Sequence, residues 1–140
     1  MLRALLFSLA LTAALVTASS AGSARPDNPL PPCPDSPNCE RTTRTYTVDP
    51  DSLFSAAQSA LSDLGPVQLT VESSDRRAHA VYRVALIFKD DVDIAVTPHE
   101  KGSALHIRSA SRVGHSDLGV NARRVRRFFR ALGQQLATVR

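Results

Sequence analysis

The residues of this 140-residue chain that could do chemistry concentrate between positions 108 and 124. Asp117 or Asn121 is predicted to cap a helix there, which leaves Arg123 and Arg124 in its first turn. Cations in that position oppose the helix dipole and cost about 0.3–1 kcal/mol each if exposed. A bound anion held by free backbone N–H groups would offset this cost. We therefore predict a site for an anionic or polar ligand, formed by Arg108, Arg112, His115, Asp117, Asn121, Arg123 and Arg124.

A structural role for the same arginines is the main alternative. An acidic segment lies earlier in the chain, and its carboxylates would pair with Arg108, Arg112 and Arg124 to lock a long loop onto the sheet. These supporting acids are Asp90, Asp91 and Asp93.

The segment also contains the constituents of a small hydrolase. His115 would act as the base and Asp117 would orient it, with Ser109, Ser111 or Ser116 as the nucleophile. Triad members normally come from separate elements, and the sequence has neither a Gly-x-Ser-x-Gly elbow nor a glycine loop that cradles phosphate. The other histidines are scattered and typical of surface positions. A non-catalytic protein without a metal site or a cofactor is therefore the favoured interpretation.

The flanking sequence predicts the sheet that positions this segment. Apolar and polar residues alternate over 67–72, 82–88, 91–97 and 105–108, which is typical of antiparallel strands with one core face. A turn at 98–102 joins the last two strands into a hairpin in which Ile94 faces Ile107 and Val96 faces Leu105. This register places Asp93 opposite Arg108, and a slip of two residues that keeps the core face places Asp93 opposite His106 or Asp91 opposite Arg112. A carboxylate meets a base in each of these registers, in a cross-strand pair worth about 0.2–1 kcal/mol.

Two amphipathic helices are predicted to cover one side of the sheet. The first begins after the N-cap Asp49, has Pro50 at its first position and ends at Gly65-Pro66. The second has the apolar residues Val125, Phe128, Phe129, Leu132, Leu136 and Val139 on one face. Its arginines, Arg123, Arg124, Arg126, Arg127 and Arg130, fall on the other face, which is a solvated surface by default and a contact for anionic lipid or polymer as the alternative.

With a short first strand at Tyr46 and Val48, the element order is β-α-β-β-β-β-α. It predicts an α+β two-layer domain in which an antiparallel sheet of four to five strands packs against two helices. By analogy of fold alone, the order is also compatible with a helix-grip arrangement. In that arrangement a curved sheet wraps around a long final helix and leaves a lipid-sized cavity.

The N-terminal part of the chain predicts export. Residues 1–24 combine Arg3, an apolar stretch at 4–16 and small residues before cleavage after Ala21 or Ala24, the pattern of a signal peptide. Residues 25–43 read as a proline-rich arm, and residues 44–140 as a single domain. In an exported protein Cys33 and Cys39, separated by five residues, most simply form a disulfide. A two-thiolate metal site and a redox-active pair are the alternatives, although the spacing fits neither well.

Composition narrows the function classes further. No apolar run reaches the roughly 20 residues of a membrane-spanning helix. Residues 108–140 contain eight Arg and the single acid Asp117, a basic end that would suggest nucleic acid in a cytosolic protein. Export argues against nucleic acid, so an anionic envelope ligand, possibly a lipid surface, is the better partner.

Three segments together resemble the domain-of-unknown-function 1499 family. They are Cys33-Pro34-Asp35-Ser36-Pro37-Asn38-Cys39, Phe88-Lys89-Asp90-Asp91-Val92-Asp93, and Arg108-Ser109-Ala110-Ser111-Arg112-Val113-Gly114 continuing to Asn121 with Arg124. A departure follows Cys39, where Glu40-Arg41 stands in place of Val-Ser-Ser. The resemblance implies an exported or lumenal protein without an assigned activity, with polar positions at Asp90, Asp91, Arg108, Ser109, Ser111, Arg112, Ser116, Asp117, Asn121 and Arg124.

The resulting hypothesis is a non-catalytic binding module, periplasmic or secreted, for an anionic or polar envelope ligand. Arg112, Arg123 and Arg124 would contact the anion, while Asp91 and Asp117 hold the arginines in place. The alternatives are the small hydrolase described above and an envelope protein-interaction domain, whose partner the sequence does not identify.

Overall fold

The computed structural model describes residues 25–138. The predicted signal peptide, residues 1–24, and Val139 of the predicted second helix lie outside the described residues. The elements are β1 (Cys39–Tyr46), α1 (Pro50–Asp63), β2 (Gln68–Glu72), a short 3-10 turn (Ser73–Asp75), β3 (Arg77–Val84), β4 (Phe88–His99), β5 (Gly102–Ser111) and α2 (Val120–Thr138). The strands form one antiparallel sheet in the order β1-β5-β4-β3-β2. The predicted α+β class and element order are confirmed.

The core lies between one face of this sheet and the two helices. Strand alternation sends Ile94 and Ile107 to that face, where they meet Leu61 of α1 and Phe128 and Leu132 of α2. All five side chains are buried, so the space between the sheet and α2 is filled by packed side chains. We call this the inner face of the sheet and the opposite one the outer face.

Helix α1 begins and ends at the residues that its sequence predicts. The Asp49 carboxylate accepts a hydrogen bond from the backbone N–H of Ser52 at 2.9 Å, and Pro50 is the first helical residue. The chain leaves the helix through Gly65, whose φ of 69° lies in the left-handed region that glycine adopts without strain.

The β4–β5 hairpin has the predicted register. Ile94 faces Ile107, Val96 faces Leu105, and Asp93 lies opposite Arg108. The charged atoms of that last pair are 3.9 Å apart. Gly102 closes the turn with a φ of 143°, and a Cβ at this position would collide with the Tyr46 carbonyl oxygen.

Several strand boundaries differ from the prediction, since β4 and β5 extend beyond the predicted segments at both ends and β3 begins at Arg77. The expected strand over 82–88 is wrong, because β3 ends at Val84 and Ala85–Ile87 form a turn. Aliphatic residues continue the alternation through this turn, and no glycine or proline marks it. The first strand is also longer than expected, since β1 spans Cys39–Tyr46. Its threonines and arginines hide the strand pattern, because an edge strand that pairs only with β5 buries few side chains.

The proline-rich segment crosses the outer face and is anchored there. The Arg41 guanidinium donates to the carbonyl oxygens of Asn28 and Leu30, at 2.9 Å each, and the Asn28 amide donates to Thr43 Oγ1 at 3.0 Å. Leu30 is buried, and the predicted disulfide between Cys33 and Cys39 is present. The arm therefore closes part of the outer face.

Beneath this arm His106 is fully buried on the outer face, so the surface position predicted for this histidine is wrong. Its ring nitrogens lie 2.9 Å from Thr43 Oγ1 and 2.9 Å from Thr97 Oγ1. A neutral ring satisfies both contacts, with one nitrogen donating and the other accepting. Burial lowers the pKa of His106, and the positive charges of Arg41 and Arg77 lower it further.

This lowered pKa predicts a loss of stability in mild acid. The unfolded chain binds a proton at His106 near pH 6.5, while the folded protein binds it only at lower pH. The contribution to the free energy of unfolding is therefore complete above that pH and declines as the pH falls toward the folded-state pKa. Denaturant titrations across this range should show a shallower decline for His106→Gln than for the parent. His115→Gln, a change at an exposed histidine, is the control, and an identical decline in all three proteins would contradict the assignment.

Candidate functional site

A buried polar cluster lies where the first turns of α2 cross the ends of β4 and β5. We call it the inner cluster, and it consists of Asp90, Ser109, Ser111, Asn121 and Arg124. Strand alternation brings the first three to the inner face, and Asp90 and Ser111 are directly opposed across the two strands. The helix contributes Asn121 and, three residues later, Arg124 on the same side.

Asn121 uses its whole amide group inside this cluster. Its Oδ1 accepts hydrogen bonds from Ser109 Oγ and from Arg124, the latter at 2.9 Å. Its Nδ2 donates to Ser111 Oγ at 2.9 Å and to the Asn38 carbonyl oxygen at 3.0 Å. Asn121 is therefore not the helix cap, one of the two roles expected of it, but the residue that joins β5, α2 and the disulfide segment.

Arg124 forms an ion pair inside the protein. Its guanidinium lies 2.8 Å from Asp90 Oδ2, and the two side chains are only 11% and 3% exposed. The same group stands over the Tyr82 ring, 5.0 Å from the centroid. Burial raises the pKa of Tyr82 to about 12, against the opposing effect of Arg124 and Arg127. Asp90 Oδ2 receives no aligned hydrogen bond from residues 25–138, so Arg124 alone compensates its charge at that atom.

A second acid–base cluster lies on the outer face. Arg112 binds Asp91 through two hydrogen bonds of 2.7 and 2.9 Å. The His79 ring stands between two carboxylates, with Nε2 3.3 Å from Asp91 and Nδ1 2.7 Å from Asp93. The hydrogen bond from Arg112 is the main cause that lowers the pKa of Asp91. Sequence reasoning had placed His79 among scattered surface histidines, and only the β3–β4 register reveals that it faces Asp93.

The residues predicted to bind one ligand thus lie in different places. Arg108 and Arg112 are on the outer face with Asp93 and Asp91, whereas Arg124 and Asn121 are inside the protein. Arg123 is exposed at the start of α2, and one of its nitrogens donates to the Leu118 carbonyl oxygen at 2.9 Å. Strand alternation separates the first pair from the others, because Arg108 points to the face opposite that of Ser109.

Asp117 caps α2, one of its predicted roles. Its Oδ1 accepts from the Gly119 N–H at 2.8 Å, and its Oδ2 accepts from the Asn121 N–H at 2.6 Å. Burial raises the pKa of Asp117, but these backbone hydrogen bonds outweigh that effect and leave the pKa lowered. With both oxygens engaged, the carboxylate is not placed to orient His115.

The serines of the proposed hydrolase are also engaged elsewhere. Ser109 and Ser111 bind Asn121 in the inner cluster, and Ser116 Oγ lies 3.4 Å from the Leu118 nitrogen. Within residues 25–138, none of the three forms a hydrogen bond with His115, which is exposed. In the same part of the chain no group of three His, Cys, Asp or Glu side chains is placed to hold a metal ion.

The open feature next to the inner cluster is a cleft of about 490 Å³ at the end of the sheet. We call it the end cleft. The start of β4 forms one wall and the loop between β5 and α2 forms the other. Most of its surface is apolar, and Lys89 and Arg123 are its cationic residues. The lining consists of Val84, Phe88, Lys89, Asp90, Ser111, Val113, Gly114, Ser116, Asp117, Leu118, Val120 and Arg123.

A family model described as "Protein of unknown function (DUF1499)" matches residues 29–132. The chain belongs to this family. The matched range contains both acid–base clusters and the end cleft, so the family signature covers the site together with its supporting strands. The resemblance seen in the three sequence segments is confirmed. A search of the curated proteins returns no match.

Solved structures support the fold of this family member. Protein MLL2253 from Mesorhizobium loti is 15% identical, with a TM-score of 0.55, and the match covers 73% of this chain and 98% of that one. The protein Ara h 8.0201 is 13% identical, with a TM-score of 0.51, covering 71% of this chain and 97% of that one. At these identities the similarity concerns the fold alone. Among the described residues, no helix is both long enough and apolar enough to cross a bilayer.

The two arginine–aspartate pairs predict a large loss of stability in one case and a small loss in the other when the arginine is replaced by methionine. Arg124→Met leaves Asp90 buried without its counter-charge, which we expect to cost about 3–5 kcal/mol. At roughly 4 °C per kcal/mol for a domain of this size, the melting temperature should fall by more than about 10 °C. Arg112→Met is the matched control, because Arg112 is 44% exposed and solvent screens its pair with Asp91. Calorimetry of both variants checks the difference, and equal melting temperatures would contradict the buried role of Arg124.

Proposed function

We propose that this protein is a non-catalytic binding module for a small anionic amphiphile, which it holds in the end cleft. The observation that carries the proposal is the cleft's composition, a mostly apolar lining that includes the cationic residues Lys89 and Arg123. Its two carboxylates, Asp90 and Asp117, are already engaged by Arg124 and by the α2 backbone. Ligand sites are typically concave and largely apolar, with a few polar groups that fix orientation. The volume of about 490 Å³ is in the range of such sites.

The ion pairing of the three arginines favours Arg123 as the contact for the anionic group of the ligand. Arg112 and Arg124 are already neutralised by Asp91 and Asp90. Arg123 forms no ion pair with any carboxylate of residues 25–138, and only one of its nitrogens is engaged, with a backbone carbonyl. The anion-binding role predicted for three arginines therefore narrows to Arg123, with Arg112 and Arg124 as supporting residues.

The apolar part of the ligand would lie between the two walls of the cleft. Phe88 is 47% exposed, Val113 57% and Leu118 85%, a degree of exposure that large apolar side chains adopt when they serve a binding surface. Covering them with a hydrocarbon segment recovers about 25 cal/mol per Å² of apolar surface removed from water. The same side chains would bind a purely anionic ligand poorly, which is why an amphiphile fits better than a sugar phosphate or an inorganic anion.

The loop that forms one wall is held before any ligand arrives. The Asn38 side chain donates to the Gly114 carbonyl oxygen, and the Asn38 backbone oxygen accepts from Asn121 and from the Ser111 N–H. A wall that is already ordered reduces the entropy lost on binding. The disulfide next to Asn38 fits the exported location that residues 1–24 predict, because such bonds persist in oxidising compartments. We accordingly propose an envelope or secreted location.

A fluorescence titration with dansyl-labelled undecanoate, an anionic amphiphile, tests this function. Arg123→Gln should weaken binding about fivefold, the equivalent of about 1 kcal/mol, and should not affect the neutral methyl ester of the same probe. Phe88→Ser should weaken the binding of both probes about tenfold. Arg130→Gln, an exposed arginine further along α2 and outside the cleft lining, is the control and should change nothing.

Two results would overturn the proposal. One is an absence of saturable binding by the parent protein. The other is an equal effect of Arg123→Gln and Arg130→Gln, which would show a general attraction to the basic helix rather than a site in the cleft.

A further inference from the structure

The turn between β3 and β4 departs from the chemistry that turns favour. Ala85 has a φ of 53°, in the left-handed region that Gly, Asn and Asp adopt more readily. Leu86 and Ile87 follow it and are 88% and 79% exposed. Folding alone gains nothing from two large aliphatic side chains in water or from an alanine in a strained conformation. Departures of this kind from local rules are expected at functional positions.

The two strands that flank this turn carry a second unfavourable feature, a cross-strand pair of like charges. Arg83 and Lys89 are direct cross-strand partners, and like charges in that position are destabilising. By alternation both belong to the outer face, where Asp91 is already bound to Arg112. Neither forms an ion pair with a carboxylate of the described chain. Arg127 of α2 is also exposed and has no such ion pair. Its positive charge acts on Tyr82, on the inner face, in the direction that lowers the pKa of the phenol.

We propose that the β3–β4 turn docks on an anionic lipid bilayer, with Leu86 and Ile87 entering the interface and Arg83 and Lys89 contacting the headgroups. An apolar tip with cations directly behind it matches the order of layers at an anionic membrane surface, where hydrocarbon lies beneath a negative headgroup region. Each basic residue near such a surface strengthens binding about fivefold. Three of the four docking residues, Leu86, Ile87 and Arg83, lie outside the cleft lining, and only Lys89 is shared with it. The docking tip is therefore separate from the cleft, and the proposal holds whether or not the end cleft takes a ligand.

The same features fit a second copy of the chain or a protein partner less well. Two side chains on one hairpin tip are far smaller than the roughly 1,200 Å² that a stable protein interface buries in total. Two copies meeting tip to tip would bring Arg83 and Lys89 of each copy together, and like charges would repel. A bilayer needs only shallow insertion and supplies the negative charge.

Sedimentation with vesicles tests the docking, using the chain from Arg25 onward in every protein. Vesicles of phosphatidylcholine alone are compared with vesicles that also contain anionic phosphatidylglycerol. The parent should bind the anionic vesicles more tightly, and raising the salt concentration should weaken that binding. The double change Leu86→Ser and Ile87→Ser should reduce binding at least tenfold, and Arg83→Gln about fivefold, the equivalent of about 1 kcal/mol.

The matched control removes two exposed valines at the edge of the sheet, through Val67→Ser and Val71→Ser. This control should bind vesicles like the parent. The Leu86 and Ile87 double variant should still bind the dansyl probe, so a failure of docking and a failure of the cleft function are distinguishable.

Three results would overturn the docking proposal. They are equal binding of neutral and anionic vesicles, equal loss in the tip and valine variants, and light scattering that shows a dimer for the parent and a monomer for the tip variant. The last result would assign the tip to an interface between copies.

Discussion

The amide of Asn121 is the contact on which the arrangement of this end of the molecule depends. It is fully buried, and all four of its hydrogen-bonding positions are used, by Ser109, Ser111, Arg124 and the Asn38 backbone. A buried amide with an unmet hydrogen bond costs about 1–3 kcal/mol, so these partners must be in place together. The requirement joins the end of β5, the first turn of α2 and the disulfide segment into one unit. The ion pair between Arg124 and Asp90 forms inside that unit, where water is excluded.

This unit decides which polar groups remain available for function. The hydroxyls of Ser109 and Ser111, the amide of Asn121 and the charges of Asp90 and Arg124 are used to satisfy one another. Asp117 is committed to the α2 backbone, and Arg112 to Asp91. The exposed apolar side chains around the end cleft and the guanidinium of Arg123 do not contribute to the packing of the fold. They therefore remain available to contact a ligand. The function proposed for the end cleft therefore depends on exposed residues of the 108–124 segment, such as Val113, Leu118 and Arg123, and not on its buried polar groups.

The sequence predicted much of the frame around this site. Keeping Ile94, Val96, Leu105 and Ile107 on one face predicted that acids of β4 meet bases of β5, and the register present is the one that places Asp93 opposite Arg108. The Asp49 cap and the disulfide followed from local patterns. The turn at Ala85–Ile87 did not, because its aliphatic residues imitate a strand. His79 was also missed, since its two carboxylate partners come from a neighbouring strand that only sheet pairing identifies.

Residue types and short-range spacing were sufficient to predict the family and the α+β class, and they offered the pairing of acids with arginines as one role for the charged residues. These features depend on residue type and short-range spacing, which can be recognised within short stretches of the sequence. Only the tertiary structure decided which acid meets which arginine, and on which side of the sheet. Adjacent strand residues point to opposite faces, so Asp90 and Asp91 are neighbours in the chain yet bind Arg124 inside the protein and Arg112 at its surface. The cleft likewise exists only once the start of β4 and the loop before α2 lie side by side at one end of the sheet, and no local sequence pattern predicts that distance.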